Sequence, residues 1–220
     1  MYLGGRSQGW VVDNKLTIDE KVLNFIDFAK KLRENKYEAG HDRFSDEWFS
    51  AINSNEGAMA WVCPLWQIPN IVGSLDIKAG VKWGVVRPTY SFYKGGNWYG
   101  IYSKSQKKEI SWEFIKYFTV NKGVVRNWAY ECNEIPNNME AISEGSLEKN
   151  RLLGVDRFKL FDPIVKEIDG KTVAEYDNAI NSEFDKSLRL YLDGKIGSKE
   201  EMINTFKKNV KSHFDGLVVQ

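Results

Sequence analysis

Two kinds of group in this sequence have the chemistry to hold a small molecule: indoles, and the polar residues beside them. Trp66 stands two residues after Pro64, where an apolar run ends and a helical stretch starts. In open α/β sheets such strand ends line the ligand crevice, so the indole is either a flat stacking face or a core residue of the short helix. Gly95-Gly96-Asn97 runs into Trp98. Two glycines let the backbone approach a ligand closely, or simply make a turn. Asn97 and Trp98 alternate across the strand expected there, so only one of them should face a ligand. Asp177 lies near the start of a long helical stretch, where its carboxylate either accepts from two neighbouring hydroxyls or only complements the helix dipole. Trp48 and Trp61 fit a core better. Arg87, before Pro88, reads as a rim donor or as a surface ion pair.

The sequence offers little for catalysis or metal binding. His41 and His213 are isolated, and Cys63 and Cys132 have neither metal-ligand spacing nor the numbers for a disulfide framework. There is no phosphate-binding glycine loop and no Gly-x-Ser-x-Gly elbow. Asp46 with Glu47, or Asp177 with Glu183, would be a glycosidase pair only at the ~5–9.5 Å separation that such chemistry needs, and nothing in the sequence sets that separation. No cofactor, no metal and no enzymatic activity are expected. The 31 basic and 30 acidic residues leave a net charge of +1 with no basic stripe, which argues against nucleic acid as a partner. Aromatic residues reach 14%, with eight Trp and ten Tyr, a supply that suits a sugar-stacking surface or a dense core. No apolar run approaches the ~20 residues of a membrane span, and Met1-Tyr2-Leu3-Gly4-Gly5 lacks the form of a secretion signal.

Helix signals dominate the elements that must position these groups. Thr17-Ile18-Asp19-Glu20 reads as a capping box before a helix carrying Val22, Leu23, Phe25, Ile26, Phe28, Ala29 and Leu32. Ser45 caps a helix with Trp48, Phe49 and Ile52, and Asp46 and Glu47 suit its first turn. Short helices are expected from Trp66 to Val72, from Ser111 to Phe118, and around Val124 to Ala129. A further helix spans Phe158 to Val165, with Pro163 as its start or bend. The next runs from about Val173 to Leu192 and stops at Asp193-Gly194, and the last opens with the box Ser198-Lys199-Glu200-Glu201. Strands are expected at Ala58–Cys63, Lys82–Arg87 and Trp98–Tyr102. Strands among helices early, then helices alone, indicate an α/β chain that is helix-rich and short of the ~20–25% strand such domains usually carry.

Four segments in fixed order resemble the extracellular solute-binding proteins of carbohydrate ABC importers, the maltose-binding-like family. They are Glu56-Gly57-Ala58-Met59-Ala60-Trp61-Val62-Cys63-Pro64-Leu65-Trp66; Gly95-Gly96-Asn97-Trp98-Tyr99-Gly100-Ile101 with the following Ser111-Trp112-Glu113-Phe114-Ile115-Lys116-Tyr117-Phe118; Ile135-Pro136-Asn137-Asn138-Met139-Glu140-Ala141; and Glu175-Tyr176-Asp177, Phe184 and Tyr191-Leu192-Asp193-Gly194-Lys195. The resemblance covers the chain from about Gly9 onward and corresponds to the C-terminal half of such proteins.

The resemblance implies an α/β fold of the type II periplasmic-binding-protein kind, incomplete at its N-terminal side. It divides the chain into 1–96 of the second lobe, 97–148 returning through the first lobe, and 149–220 as C-terminal helices packing back on the second. It implies reversible capture of a mono- or oligosaccharide between two lobes, delivery to ABC permease subunits, and an extracytoplasmic parent protein, lipid-anchored or periplasmic. Trp66 corresponds to the stacking platform of such sites. Gly95, Gly96, Asn97 and Trp98 correspond to the crossing strand, with Trp98 facing the pocket. Tyr176 and Asp177 correspond to an aromatic and a polar group presented to the cleft. An incomplete first lobe would leave apolar surface exposed, so self-association of the chain is expected. The alternative reading from another class is a glycoside hydrolase fragment.

Overall fold

A computed structural model describes residues 5–42, 44–54, 59–68, 83–88, 91–92, 97–132, 134–138, 140–141 and 155–219 of the 220. The chain divides into two compact units, a central one over His41–Ile168 and a terminal one that joins Tyr2–Gly40 to Asp169–Gln220. The boundaries expected after residues 96 and 148 both fall within the range of the central unit.

The terminal unit begins with a hairpin. β1 (Val11–Val12) pairs antiparallel with β2 (Lys15–Leu16), Val11 opposite Leu16 and Val12 opposite Lys15. The turn residues Asp13 and Asn14 have φ of 48° and 60°, and Asp and Asn tolerate this left-handed region better than other side chains. The end of the chain lies alongside: the Leu16 amide donates to the Val218 carbonyl at 2.9 Å, and the Val218 amide to the Asn14 carbonyl at 3.0 Å. Gly9 suits a close approach, because a Cβ there would sit 3.2 Å from the Thr172 carbonyl oxygen, a tight contact with backbone.

Three helices close over this hairpin. α1 (Glu20–Glu34) is capped by Asp19, whose carboxylate accepts from the Val22 amide at 2.9 Å and from the Ser7 amide at 2.7 Å. The expected box on Thr17 does not form. The Thr17 hydroxyl donates instead to the Gly9 carbonyl at 2.6 Å, since Thr17 still belongs to the hairpin. The terminal unit's other helices, which follow four helices of the central unit along the chain, are α6 (Asp177–Leu192) and α7 (Lys199–His213). Ser198 caps α7 through the Glu201 amide at 3.1 Å, while the Glu201 carboxylate reaches past the cap to the Gly197 amide at 2.9 Å. α6 ends as expected: Gly194, at φ 74°, donates to the Tyr191 carbonyl and Lys195 to the Leu190 carbonyl, the paired bonds of a Schellman stop.

The core of this unit is aromatic at its centre. Val22 and Ile26 of α1, Ile180, Phe184 and Leu188 of α6, and Met202, Phe206 and Val210 of α7 are buried at helical spacing around Trp10. Trp10, Phe184 and Phe206 meet pairwise with centroids 5.3–5.5 Å apart, and the Trp10 indole N–H, itself buried, donates to Asn181 Oδ1 at 2.8 Å.

The central unit carries α2 (Asp46–Ile52), α3 (Lys108–Thr119), α4 (Lys122–Glu131) and α5 (Arg157–Lys166). Ser45 and Asn121 cap α2 and α4 as side-chain acceptors, at 3.2 and 3.1 Å. Pro163 lies inside α5, where its missing N–H removes one helical bond without ending the helix. Among the described residues the segments expected as strands at 58–63, 82–87 and 98–102 form no ladder. Each of them is apolar enough for a sheet interior, but none has a partner strand among the described residues. Among the described residues the chain is helix-rich with one two-stranded ladder, which is compatible with the α/β expectation.

Phe184→Ala removes the side chain that touches both other rings of the core. It is expected to lower the unfolding free energy by about 3–5 kcal/mol in urea titrations. A change below ~1 kcal/mol would mean that the three rings do not form a common core.

Candidate functional site

The residues expected to bind a ligand divide between the two units. Trp66, Asn97 and Trp98 belong to the central unit, and Tyr176 and Asp177 to the terminal one. Gly95 and Gly96 lie outside the described residues.

Trp66 lies within a tight turn in which the Gln67 amide donates to the Pro64 carbonyl at 3.1 Å and the Ile68 amide to the Leu65 carbonyl at 3.0 Å. The turn lays Trp66, half-buried, against Ile52 of α2, together with Trp48, Phe49, Trp61 and Trp83. Trp48 meets Trp61 edge to face at 5.2 Å and 82°, and Phe49 at 5.1 Å and 78°. The Trp83 indole N–H donates to the Ile52 carbonyl at 3.0 Å. Only Ile52 in this cluster is fully buried, so all four indoles keep part of their surface in water. Trp48 and Trp61, read from the sequence as core residues, therefore pack on each other without being sealed. Trp66 sits at the margin between the two readings offered for it.

Asn97 and Trp98 are both exposed, Trp98 at 79%. The expectation that only one of them would face a ligand assumed strand alternation. Residues 97–100 pair with no strand among the described residues, so the alternation does not apply. Exposed rings continue through Tyr99 and Tyr102 towards α3. A shallow concavity of about 880 Å³ lies over Ser103–Ile110 at the start of that helix, with Lys104, Lys107 and Lys108 around it.

Tyr176 and Asp177 are tied into the terminal unit. Tyr176 is half-buried, packs on the core and stands edge to face with Phe214 at 5.3 Å. A hydrogen bond with Glu175, with the carboxylate's charge, pushes its phenol above the usual range. The Asp177 carboxylate is engaged by Arg6, Nη2 to Oδ2 at 3.1 Å, with the two side chains only 7% and 14% exposed. The guanidinium also stands over the Trp10 ring at 4.6 Å. Burial pulls the Arg6 pKa down, and the Asp177 charge pulls it back up. Arg6 Nε, Arg6 Nη1 and Asp177 Oδ1 are buried with no hydrogen-bond partner. Asp177 thus serves an internal ion pair, an assignment that neither sequence reading of it included. Arg6 lies 171 positions away and carries no motif, so no sequence signal pointed to it.

The remaining candidates are structural. Arg87 forms an ion pair with Glu167, which also accepts from the Ser91 hydroxyl at 2.7 Å, so the salt-bridge reading of Arg87 holds. Those two donors hold the Glu167 carboxyl below its usual range. Glu183 is buried and paired with Lys186 at 2.6 Å. The Glu47 carboxyl is held down by its own backbone amide and the Ser45 hydroxyl at the start of α2. His41 and His213 are exposed, and His213 Nδ1 lies 3.0 Å from the Asn209 carbonyl. Among the described residues no three His, Cys, Asp or Glu side chains gather as a metal site. No described helix is long and apolar enough to cross a membrane. Cys63 is half-buried, and burial pushes its thiol up to about 11, whereas Cys132 is exposed.

Comparison with protein families, curated proteins and solved structures finds no match for this chain.

Two outcomes are expected from these placements. Asp177→Ala strands the buried Arg6 charge and should destabilise the protein by about 3–5 kcal/mol in denaturant titrations. A neutral result would return Asp177 to the pool of available ligand groups. At pH 8 a thiol-reactive dye should label Cys132 first, because a thiol pushed up to about 11 holds almost no thiolate there. Rapid labelling that survives Cys132→Ser would contradict the burial of Cys63.

Proposed function

We propose that this chain is the C-terminal portion of an extracytoplasmic carbohydrate-binding protein of an ABC importer. In this reading it has the type II periplasmic-binding fold, captures a mono- or oligosaccharide in an interlobe cleft and passes it to permease subunits. The observation that carries the reading is Trp98. An indole 79% exposed, beside an exposed Asn97 and ahead of Tyr99 and Tyr102, joins flat apolar faces to polar groups along one stretch of chain. A pyranose needs that combination: stacking for its C–H face and hydrogen bonds for its hydroxyl rim. The half-exposed indoles around Ile52, Trp66 among them, add a second set of open ring faces in the same unit.

Magnitudes set what to look for. Stacking contributes ~0.5–1.5 kcal/mol per ring beyond area burial, so one or two rings with an amide support affinity of order 1 mM, about 4 kcal/mol. Isothermal titration or intrinsic tryptophan fluorescence against glucose, maltose, maltotriose and xylobiose should give a saturable signal near that concentration, without release of reducing ends. Trp98→Ala should lower the affinity at least tenfold while the melting temperature stays unchanged. A panel in which no saccharide gives saturation overturns the reading. Turnover of a glycoside, lost on changing one carboxylate, would replace it with the hydrolase reading.

A further inference from the structure

We propose that residues 5–8 form a strap that fills a guanidinium-binding site with the chain's own Arg6, and that a separate guanidinium group binds there when the strap lifts. The site lies in the terminal unit and uses none of the residues that carry the carbohydrate proposal. Its floor is the Trp10 ring, which the Arg6 guanidinium covers at 4.6 Å. Its wall is the Asp177 carboxylate, whose Oδ2 accepts from Arg6 Nη2 at 3.1 Å. Asp19 adds a second negative charge to the surroundings of Arg6. An aromatic face beside carboxylates is the chemistry that recognises a planar cation. The Arg6 and Asp177 side chains are 7% and 14% exposed, so the cation is withdrawn from water into a formed site.

Two observations mark Arg6 as an exchangeable occupant. The first is how the strap is held. Gly5, Ser7, Gln8 and Gly9 have no apolar side chain to bury, and Ser7 and Gln8 are exposed. Two hydrogen bonds flank Arg6: the Ser7 amide donates to Asp19 Oδ2 at 2.7 Å, and Lys21 Nζ to the Gly5 carbonyl at 3.0 Å. The strap's hold on the unit therefore rests chiefly on one side chain. The second is the fit. A guanidinium free to orient itself meets a carboxylate through two parallel N–H···O bonds. Arg6 makes one, and its Nε and Nη1, like Asp177 Oδ1, are buried with no partner among the protein's groups. Unpaired donors and an unpaired acceptor in a buried place weaken the internal pair. A guanidinium not tethered at residue 6 can turn to engage both carboxylate oxygens over the same ring. The ligand chemistry is thus a guanidinium group, carried by a small molecule or by an arginine of another peptide, and the test separates these sources.

The test uses the full chain and two probes: ethylguanidinium, which copies the end of an arginine side chain, and the capped peptide acetyl-Gly-Arg-Ser-Gln-amide, which copies the strap. Arg6→Ala empties the site. In that variant about 10 mM ethylguanidinium should raise the melting temperature by about 3 °C, and tetramethylammonium, a cation with no N–H donor, should not. The rise should vanish in Arg6→Ala with Asp177→Asn. The same rise from a tenfold lower concentration of peptide assigns the site to an arginine-bearing partner; a weaker or equal effect assigns it to a small molecule. In the unaltered chain the short tether keeps Arg6 at an effective concentration of order millimolar, so about 50 mM ethylguanidinium is used to compete. It should speed hydrogen exchange at the Ser7 amide at least threefold, because the bond to Asp19 breaks as the strap lifts, and tetramethylammonium should not. This measurement decides the outcome if Arg6→Ala does not fold. A folded Arg6→Ala chain that ethylguanidinium leaves unstabilised, a stabilisation that tetramethylammonium matches, or a Ser7 exchange rate indifferent to ethylguanidinium would each overturn the proposal.

Discussion

The terminal unit rests on one meeting of aromatic rings. Trp10 comes from the hairpin at the beginning of the sequence, while Phe184 and Phe206 come from helices near its end. The rings meet at 5.3–5.5 Å, tilted or edge to face, and none of the pairs is a face-to-face sandwich. The buried indole N–H has Asn181 as its acceptor, so Trp10 brings no unpaired donor into the core. Everything local to the unit serves that meeting. Asp19 starts α1 and also holds the Ser7 amide, Gly9 lets the backbone come close to Thr172, and Val218 extends the hairpin's ladder.

The central unit is built on the opposite balance. Ser45 and Asn121 cap α2 and α4, yet Ile52 is the sole buried member of the Trp cluster and α3 has no buried residue at all. Local hydrogen bonding gives α3 its shape, and apolar burial does not yet hold it. Surface of this kind is where binding energy remains to be released, on a carbohydrate or on protein. The Arg6–Asp177 pair in the terminal unit makes the contrast clear, since polar groups there are withdrawn from solvent even at the cost of three unpaired atoms.

What could be read in the sequence was what depends on near neighbours. The Ser45 cap, the Ser198 cap and the Asp193-Gly194 stop all follow from residues within four positions, and all three are found. Thr17-Ile18-Asp19-Glu20 met the same rule but shifted by two residues, because the hairpin claims Thr17 first. The hairpin itself was missed, although Asp13-Asn14 between Val12 and Lys15 is a readable turn signal. Apolar runs at 58–63, 82–87 and 98–102 looked like strands because apolarity reports burial, whereas a strand also needs a neighbour to accept its hydrogen bonds. Trp98 is exposed, and so is Asn97, because strand alternation does not apply where no described strand pairs with this stretch. Asp177 depended on a guanidinium at the far end of the sequence, and no local pattern encodes such a distance.

The split composition of the terminal unit has a consequence for how the protein is made. A ribosome adds ~5–20 residues per second, so the segment bearing Trp10, Val22 and Ile26 waits roughly 10–40 s before Phe206 emerges. His41–Ile168 leaves the exit tunnel in the meantime. Closing so long a loop adds little to the equilibrium cost, since each doubling of length costs only ~0.6 kcal/mol. The burden is temporal: the amphipathic segment of α1 stays unsatisfied while the intervening residues are made, the condition under which nascent chains recruit chaperones.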